Sequence, residues 1–221
     1  MEVSMKKVAV ILSGCGKLDG SEVHEATLTL LNIDACGAKY QCASIDAPQS
    51  RVMDHLASKE SHEKRNMMIE SARIARGDVV AAGGISPKDY DAVIFPGGFG
   101  AALNLCDFGM NSGEGTRVNP VIEKIIRDFH AAKKPIGAIC IAPVIVARVL
   151  ASNKAKVTIG NDAGTAAAIN KWGAEHVNCS AEEICFDPNN ILVTTPAYML
   201  AENIAPVNRG IEKLVKKILS L

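Results

Sequence analysis

The chain carries no surplus of charge: 24 Lys+Arg are balanced by 24 Asp+Glu. There is therefore no global field to draw nucleic acid or an anionic membrane. Long hydrophobic runs are missing too. Val8 to Leu12, the longest early apolar stretch, is too short for a signal-peptide core or a membrane-crossing helix, and polar residues follow at once. A cytoplasmic location is the default that follows. No C-x-x-C pair occurs among the seven cysteines, at positions 15, 36, 42, 106, 140, 179 and 185. An odd count without that spacing argues against both a secreted disulfide framework and a zinc site, so reduced thiols are expected. Repeats, low-complexity segments, linkers and the P-loop lysine motif are also absent.

What remains is a chain of 221 residues with 48% hydrophobic content, enough to bury a large core as one domain over residues 1–221. Met1 to Ser4, ahead of Met5, read as a start-site difference or a short disordered extension. Strand and helix patterns then alternate. Lys7 to Ser13 reads as a buried strand, Ser21 to Cys36 as a helix ended by Gly37, and Tyr40 to Ile45 as a second strand. A loop and a helix with the apolar set Met67, Met68, Ile69, Ala72, Ile74 and Ala75 fill Gln49 to Gly77. A strand at Asp91 to Pro96 and an amphipathic helix at Val121 to Ala132 lead to the apolar run Pro135 to Ile139. Beyond Leu150 come a short strand at Val157 to Ile159, a helix at Ala163 to Trp172, short strands near Val177 and Ile191 to Thr194, and a terminal helix with Ile211, Leu214, Val215, Ile218 and Leu219 on one stripe. This order predicts an α/β sandwich with a mostly parallel sheet, binding ligands beyond the carboxyl ends of its strands.

The run Pro135 to Ile139 ends in Cys140, followed by Ile141-Ala142-Pro143, where a strand should turn sharply into a helix. Such an elbow lifts one side chain out of the sheet, and the small residues Gly137, Ala138 and Ala142 let a substrate approach. Amides opening the next helix should favour the Cys140 thiolate. The structural alternative is a small buried hydrophobe, a common fate of free cysteine. A second turn, Pro96-Gly97-Gly98-Phe99-Gly100, can aim backbone amides at a developing oxyanion. The amides of Gly98 and Ile141, with Gly97 beside them, would form the hole and substrate contact. The glycines after the first strand, in Ser13-Gly14-Cys15-Gly16-Lys17-Leu18-Asp19-Gly20, are spaced G-x-G-x-x-x-G and so depart from the dinucleotide fingerprint.

A thiol that adds to a carbonyl needs a group to move protons. Glu22 and Glu25 are three apart at the start of the first helix and share a face, while His24 points elsewhere. Asp19 as N-cap with Glu22 fits a capping box, which gives Glu22 a structural role. Glu25 has none, and a carboxyl held in a dry site would keep its proton near neutral pH. His55, His62, His130 and His176 fall in a loop, on polar helix faces and beside a short strand, as solvated or structural histidines would.

Together, Ser13-Gly14-Cys15-Gly16, Asp19-Gly20-Ser21-Glu22-Val23-His24-Glu25, Pro96-Gly97-Gly98-Phe99-Gly100-Ala101-Ala102, Cys140-Ile141-Ala142-Pro143 and Thr194-Thr195-Pro196-Ala197-Tyr198-Met199 resemble the ElbB glyoxalase family. That family lies in the PfpI and Parkinson-associated deglycase branch of the class I glutamine amidotransferase-like superfamily. The resemblance spans nearly the whole chain. It implies a flavodoxin-like three-layer sandwich, a cysteine at a nucleophile elbow paired with a buried glutamate, and glyoxalase III-type activity on small dicarbonyls. No metal, nicotinamide or glutathione cofactor is implied, and superfamily members are commonly homodimers. The superfamily glutamate lies about a dozen residues before the glycine that ends the first helix. Counting back from Gly37 reaches Glu25, with Glu22 as the alternative.

One departure stands out: many relatives supply a histidine soon after the nucleophile helix, and Ile141 to Gly173 contains none. Amidotransferase relatives place a His-x-Glu pair further on, whereas His176 is followed by Val177 and Asn178. Glutamine hydrolysis is not expected. Two rival functions stay open: a redox-sensing or stress-response binding protein built on oxidisable Cys140, and an amidotransferase-like accessory protein in isoprenoid metabolism.

Overall fold

The computed structural model describes residues 5–111, 113 and 115–221. The expected extension at Met1 to Ser4 lies outside the described residues. The chain opens with β1 (Lys7–Ile11), α1 (Val23–Ala35) and β2 (Lys39–Ser44), then a small antiparallel hairpin of β3 (Val52–Asp54) and β4 (Lys59–Ser61). Next come α2 (Met67–Ile74), β5 (Val79–Ala81), β6 (Ala92–Phe95), α3 (Phe99–Leu103), α4 (Pro120–Ala131), β7 (Ile136–Ile139) and α5 (Pro143–Val149). The last part holds β8 (Lys156–Val157), α6 (Ala163–Trp172), β9 (Glu175–His176), β10 (Cys185–Asp187), β11 (Leu192–Thr195) and α7 (Ile204–Ser220).

Seven strands form one sheet in the order β10-β11-β7-β6-β1-β2-β5. Every pairing is parallel except that of β10 on β11. Strands covered on both faces need side chains that are apolar throughout, and Val8 to Leu12, Val93 to Phe95 and Ile136 are fully buried. The flavodoxin-like α/β architecture expected from the sequence is present.

The connections from β1 through β2 to β5 step one way along the sheet, and those from β6 through β7 to β11 step the other way. Right-handed crossovers then put α1 and α4 on opposite faces, and α7 returns to pack along α1. The reversal lies between β1 and β6, at the switch point where such sheets bind ligands. Two helices show how the sequence chooses its faces. In α4, Asn119 caps the Val121 amide, Pro120 starts the helix, and Ile122, Ile125, Ile126 and Phe129 are buried. In α7, Val207, Ile211, Leu214, Val215 and Ile218 make the buried stripe.

Two expectations change. In α2 the buried residues are Met67, Glu70 and Ser71, while Ile69 is exposed. The polar Ser71 is held inward because its hydroxyl bonds Ser44 Oγ at 3.0 Å and receives the Gly14 amide at 3.0 Å. Helix α1 begins at Val23 with Glu22 as its N-cap, so the capping role assigned to Asp19 is corrected. Asp19 instead accepts the Met53 amide at 2.7 Å, a tie across the chain that sequence proximity does not reveal.

The loop after β1 is closed on itself and on its neighbours. Gly14 donates to Ser71, Gly16 to the Ser21 carbonyl, Leu18 to His55 and Gly20 to the Gly16 carbonyl, so these four amides are engaged within the protein. Asn104 clamps this loop from α3: its Nδ2 donates to the carbonyls of Ser13 (3.0 Å) and Asp19 (2.8 Å), and its Oδ1 accepts the Ser50 amide (2.9 Å). Asn104→Ala strands these buried backbone groups and should destabilise the fold by about 2–4 kcal/mol in urea unfolding. A loss under about 0.5 kcal/mol would show that solvent replaces the clamp.

Candidate active site

Cys140 leaves β7 with φ +62°, a left-handed conformation that a side-chain-bearing residue adopts only when its surroundings impose it. What imposes it is the sheet: the Cys140 amide donates to the Thr195 carbonyl at the end of β11 (2.9 Å), and Ala142 donates back to Ile139 (3.0 Å). The elbow expected at this point is present.

Glu25 reaches the same spot from the first turn of α1 and is completely buried. Its Oε1 accepts the Tyr198 amide at 3.2 Å. Its Oε2 is buried without a well-formed hydrogen-bond partner, and the polar groups beside it are the Cys140 thiol and the Gly97 amide. Gly97 separates the two side chains so narrowly that a Cβ there would stand 2.4 Å from Cys140 Cβ and 2.5 Å from Glu25 Oε2. Gly98 is equally restricted. It has φ +93°, and an added Cβ would lie 2.3 Å from the Glu22 nitrogen and 2.4 Å from the Gly20 carbonyl oxygen. The glycine pair therefore lets the loop after β6 lie directly on the start of α1, where the Gly97 carbonyl accepts the Glu22 amide at 2.9 Å.

Burial dominates the electrostatics. Desolvation, reinforced by the Glu22 carboxylate, pushes the Glu25 carboxyl up to about 8, so it carries a proton at neutral pH. The thiol departs from the sequence-based expectation. The Gly98 and Ile141 amides do act on sulfur and pull its pKa down, but burial and the adjacent Glu25 raise it well above its ordinary value. Cys140 is only 7% exposed. The resting site thus holds a thiol beside a carboxylic acid, not a free thiolate at a helix end.

The pair sits at the base of a cleft of about 790 Å³ whose lining includes Cys140, Gly98, Ile141, Glu22, His24 and Tyr198. Each site residue named from the sequence reaches this region. Glu22 spends one carboxylate oxygen on the Glu25 amide (2.7 Å), the capping contact expected of a structural residue, while also facing the cleft. His24 is a correction, because it too lines the cleft, with Nδ1 2.8 Å from the Tyr198 hydroxyl. Tyr198 has a role that residue-by-residue reading missed. Its motif lies just past β11, and the parallel pairing of β11 with β7 brings that end beside Cys140. His176 approaches the Ile159 amide (3.4 Å) and is not part of the cleft lining.

A DJ-1/PfpI family model matches residues 6–201. The chain is 42% identical over 225 residues to the ES1 protein homolog, mitochondrial, of Rattus norvegicus, covering 97% of this chain and 84% of that protein. It is 43% identical over 225 residues to the glutamine amidotransferase-like class 1 domain-containing protein 3, mitochondrial, of Homo sapiens, covering 97% and 83%. A crystal structure of an isoprenoid biosynthesis protein with amidotransferase-like domain from Ehrlichia chaffeensis superposes with a TM-score of 0.90 at 35% identity, over 97% of this chain and 99% of the other. The expectation of a cytoplasmic protein is overturned by these relatives, since the rat and human proteins are both named as mitochondrial. That expectation rested on the lack of an early apolar run, whereas mitochondrial import signals are amphipathic and Arg-rich, so the missing run had no bearing on them. With the fold, the elbow and these relatives in agreement, the chain belongs to the DJ-1/PfpI family and carries a glutamine amidotransferase-like class 1 domain.

Proposed function

We propose that this chain belongs to the ElbB branch of its family and acts as a cofactor-independent, glyoxalase III-type enzyme on dicarbonyls. The observation that carries the reading is the buried Cys140–Glu25 pair at the base of an open cleft. Sulfur, on losing its proton to solvent, bonds to the aldehyde carbon of glyoxal. The oxygen left negative lies against the Gly98 and Ile141 amides and takes the Glu25 proton, giving a hemithioacetal. Glu25, now a carboxylate, removes the hydrogen from that carbon and returns it to the neighbouring carbon through an enediol. A thioester of the 2-hydroxy acid results. Water cleaves it to glycolate, one of water's protons returning to sulfur and the other, shed by the new carboxyl group, returning to Glu25. One carbon is oxidised and the other reduced, so no external redox partner enters.

A second reading comes from the Ehrlichia chaffeensis relative, which is described as an isoprenoid biosynthesis protein. It would make the domain an amidotransferase-like accessory. Amidotransferase relatives use a His-x-Glu pair well past the cysteine, and here His176 is followed by Val177 and Asn178, so no glutaminase activity is expected.

Cys140→Ala should abolish glyoxal turnover with the fold retained, as followed by glycolate formation and circular dichroism. Glu25→Gln should lower kcat by about 100- to 10,000-fold, whereas Glu22→Gln, which keeps a capping oxygen, should stay within severalfold. The reverse pattern would move the acid–base role one turn along α1.

The Glu25 proton also sets pH behaviour. Because the reaction needs the Cys140 thiolate while Glu25 still holds its proton, and sulfur holds its own proton the more tightly, activity should rise with pH towards about 8 and level off above it. Unfolded, this carboxyl titrates near 4.5; folded, near 8. Between those values the folded state keeps a proton that the unfolded state releases, so this group makes stability decline as pH rises, by about 1.4 kcal/mol per unit at full slope. Glu25→Gln should flatten that decline in urea unfolding run across the window. An unchanged slope would mean that Glu25 is ionised in the folded protein.

A further inference from the structure

The cleft is far too large for glyoxal. At about 30 Å³ per water, its volume of about 790 Å³ corresponds to on the order of 25 waters, while a four-heavy-atom dicarbonyl displaces about two or three. Its walls are apolar beyond the reacting pair: Leu18, Phe99, Phe108, Ile141 and Met199 face it. The two aromatic rings are supported from behind. Phe108 packs edge-on against Trp172 at 5.8 Å, and Phe99, itself 42% exposed, lies 5.5 Å from the Arg51 guanidinium. Phe99 is not a lone exposed ring but part of this contiguous apolar wall beside the reactive centre, which is what marks a ligand contact.

The rim adds a charge preference. Glu22, Asp162 and Glu202 line it against the single ammonium of Lys17. Among the described residues none of the three carboxylates enters an ion pair. His24 stands on the same rim, with its Nδ1 2.8 Å from the Tyr198 hydroxyl.

Resting on the Cys140–Glu25 reading, we propose that the cleft selects 2-oxoaldehydes bearing an uncharged aromatic or bulky apolar body, and that its acidic rim disfavours anionic ones. The aldehyde end reaches Cys140, the body lies between Phe99 and Phe108, and the overall conversion is R–CO–CHO plus water to R–CH(OH)–COO⁻ and a proton. The atoms balance by internal hydrogen transfer, as they do for glyoxal.

The test is a panel of kcat/KM values for glyoxal, methylglyoxal, phenylglyoxal and 4-carboxyphenylglyoxal, read as 2-hydroxy acid by chromatography. Cys140→Ala protein serves as the control for arginine modification. Phenylglyoxal should exceed glyoxal by at least about tenfold, the discrimination an apolar pocket gives for added apolar groups. Its 4-carboxy analogue should fall well below it at low salt, with the gap narrowing as salt screens the rim. Phe99→Ala should lower the phenylglyoxal-to-glyoxal ratio, and Glu202→Gln should raise 4-carboxyphenylglyoxal turnover. Cys140-dependent turnover in which glyoxal equals or surpasses phenylglyoxal would overturn this inference and leave the Cys140–Glu25 chemistry standing. No Cys140-dependent turnover of any member of the panel would overturn both.

Discussion

A carboxyl group with no access to water, set against a thiol at a strained elbow, is the constraint around which this end of the molecule is built. An ionised Glu25 would stand in a dry site with only one clear donor, the Tyr198 amide, on one of its oxygens. An unpaired buried charge of that kind costs several kcal/mol, so the group keeps its proton. Each neighbour follows from that requirement. Gly97 lacks a side chain because the space belongs to Cys140 and Glu25. Gly98 takes a positive φ so that the loop after β6 can lie on α1. Cys140 accepts a left-handed backbone because its amide is tied to β11.

The topology explains why these pieces meet. Glu25, the glycine pair, Cys140 and Tyr198 follow β1, β6, β7 and β11, four strands adjacent in the parallel sheet. In such a sheet every carboxyl end opens on the same edge, and reversal of winding between β1 and β6 leaves a crevice there. Residues more than a hundred positions apart are brought together by strand pairing alone. The cleft above them then has walls supplied by loops and short helices, which are the parts of the fold that set what enters.

Much of this was legible in the residues. Alternating apolar runs and amphipathic stretches announced the parallel α/β sheet, because strand and helix periods differ sharply. The elbow at Cys140 was marked by an apolar strand meeting small residues and a proline. Glu25 emerged from the family resemblance and a count from Gly37, where the chain has φ +73°. The hairpin of β3 and β4 and the short β10 escaped notice, since three-residue strands are too brief to establish a period. The thiol's pKa was misjudged because a helix terminus is a local feature, whereas desolvation depends on everything packed around the sulfur. His24 and Tyr198 lie 174 positions apart in sequence, and only the fold discloses that they share the cleft.

The account turns on the protonation state of one side chain, and that can be observed directly. Glutamate labelled with ¹³C at the side-chain carboxyl, with the Glu25 signal assigned by its loss in Glu25→Gln, can be followed by NMR from pH 4 to pH 10. A Glu25 resonance that stays in its protonated position through neutral pH and titrates near 8 is the predicted result. Titration near the ordinary carboxylate value of 4.5 would contradict the account, because the site would then hold a carboxylate with no proton to give.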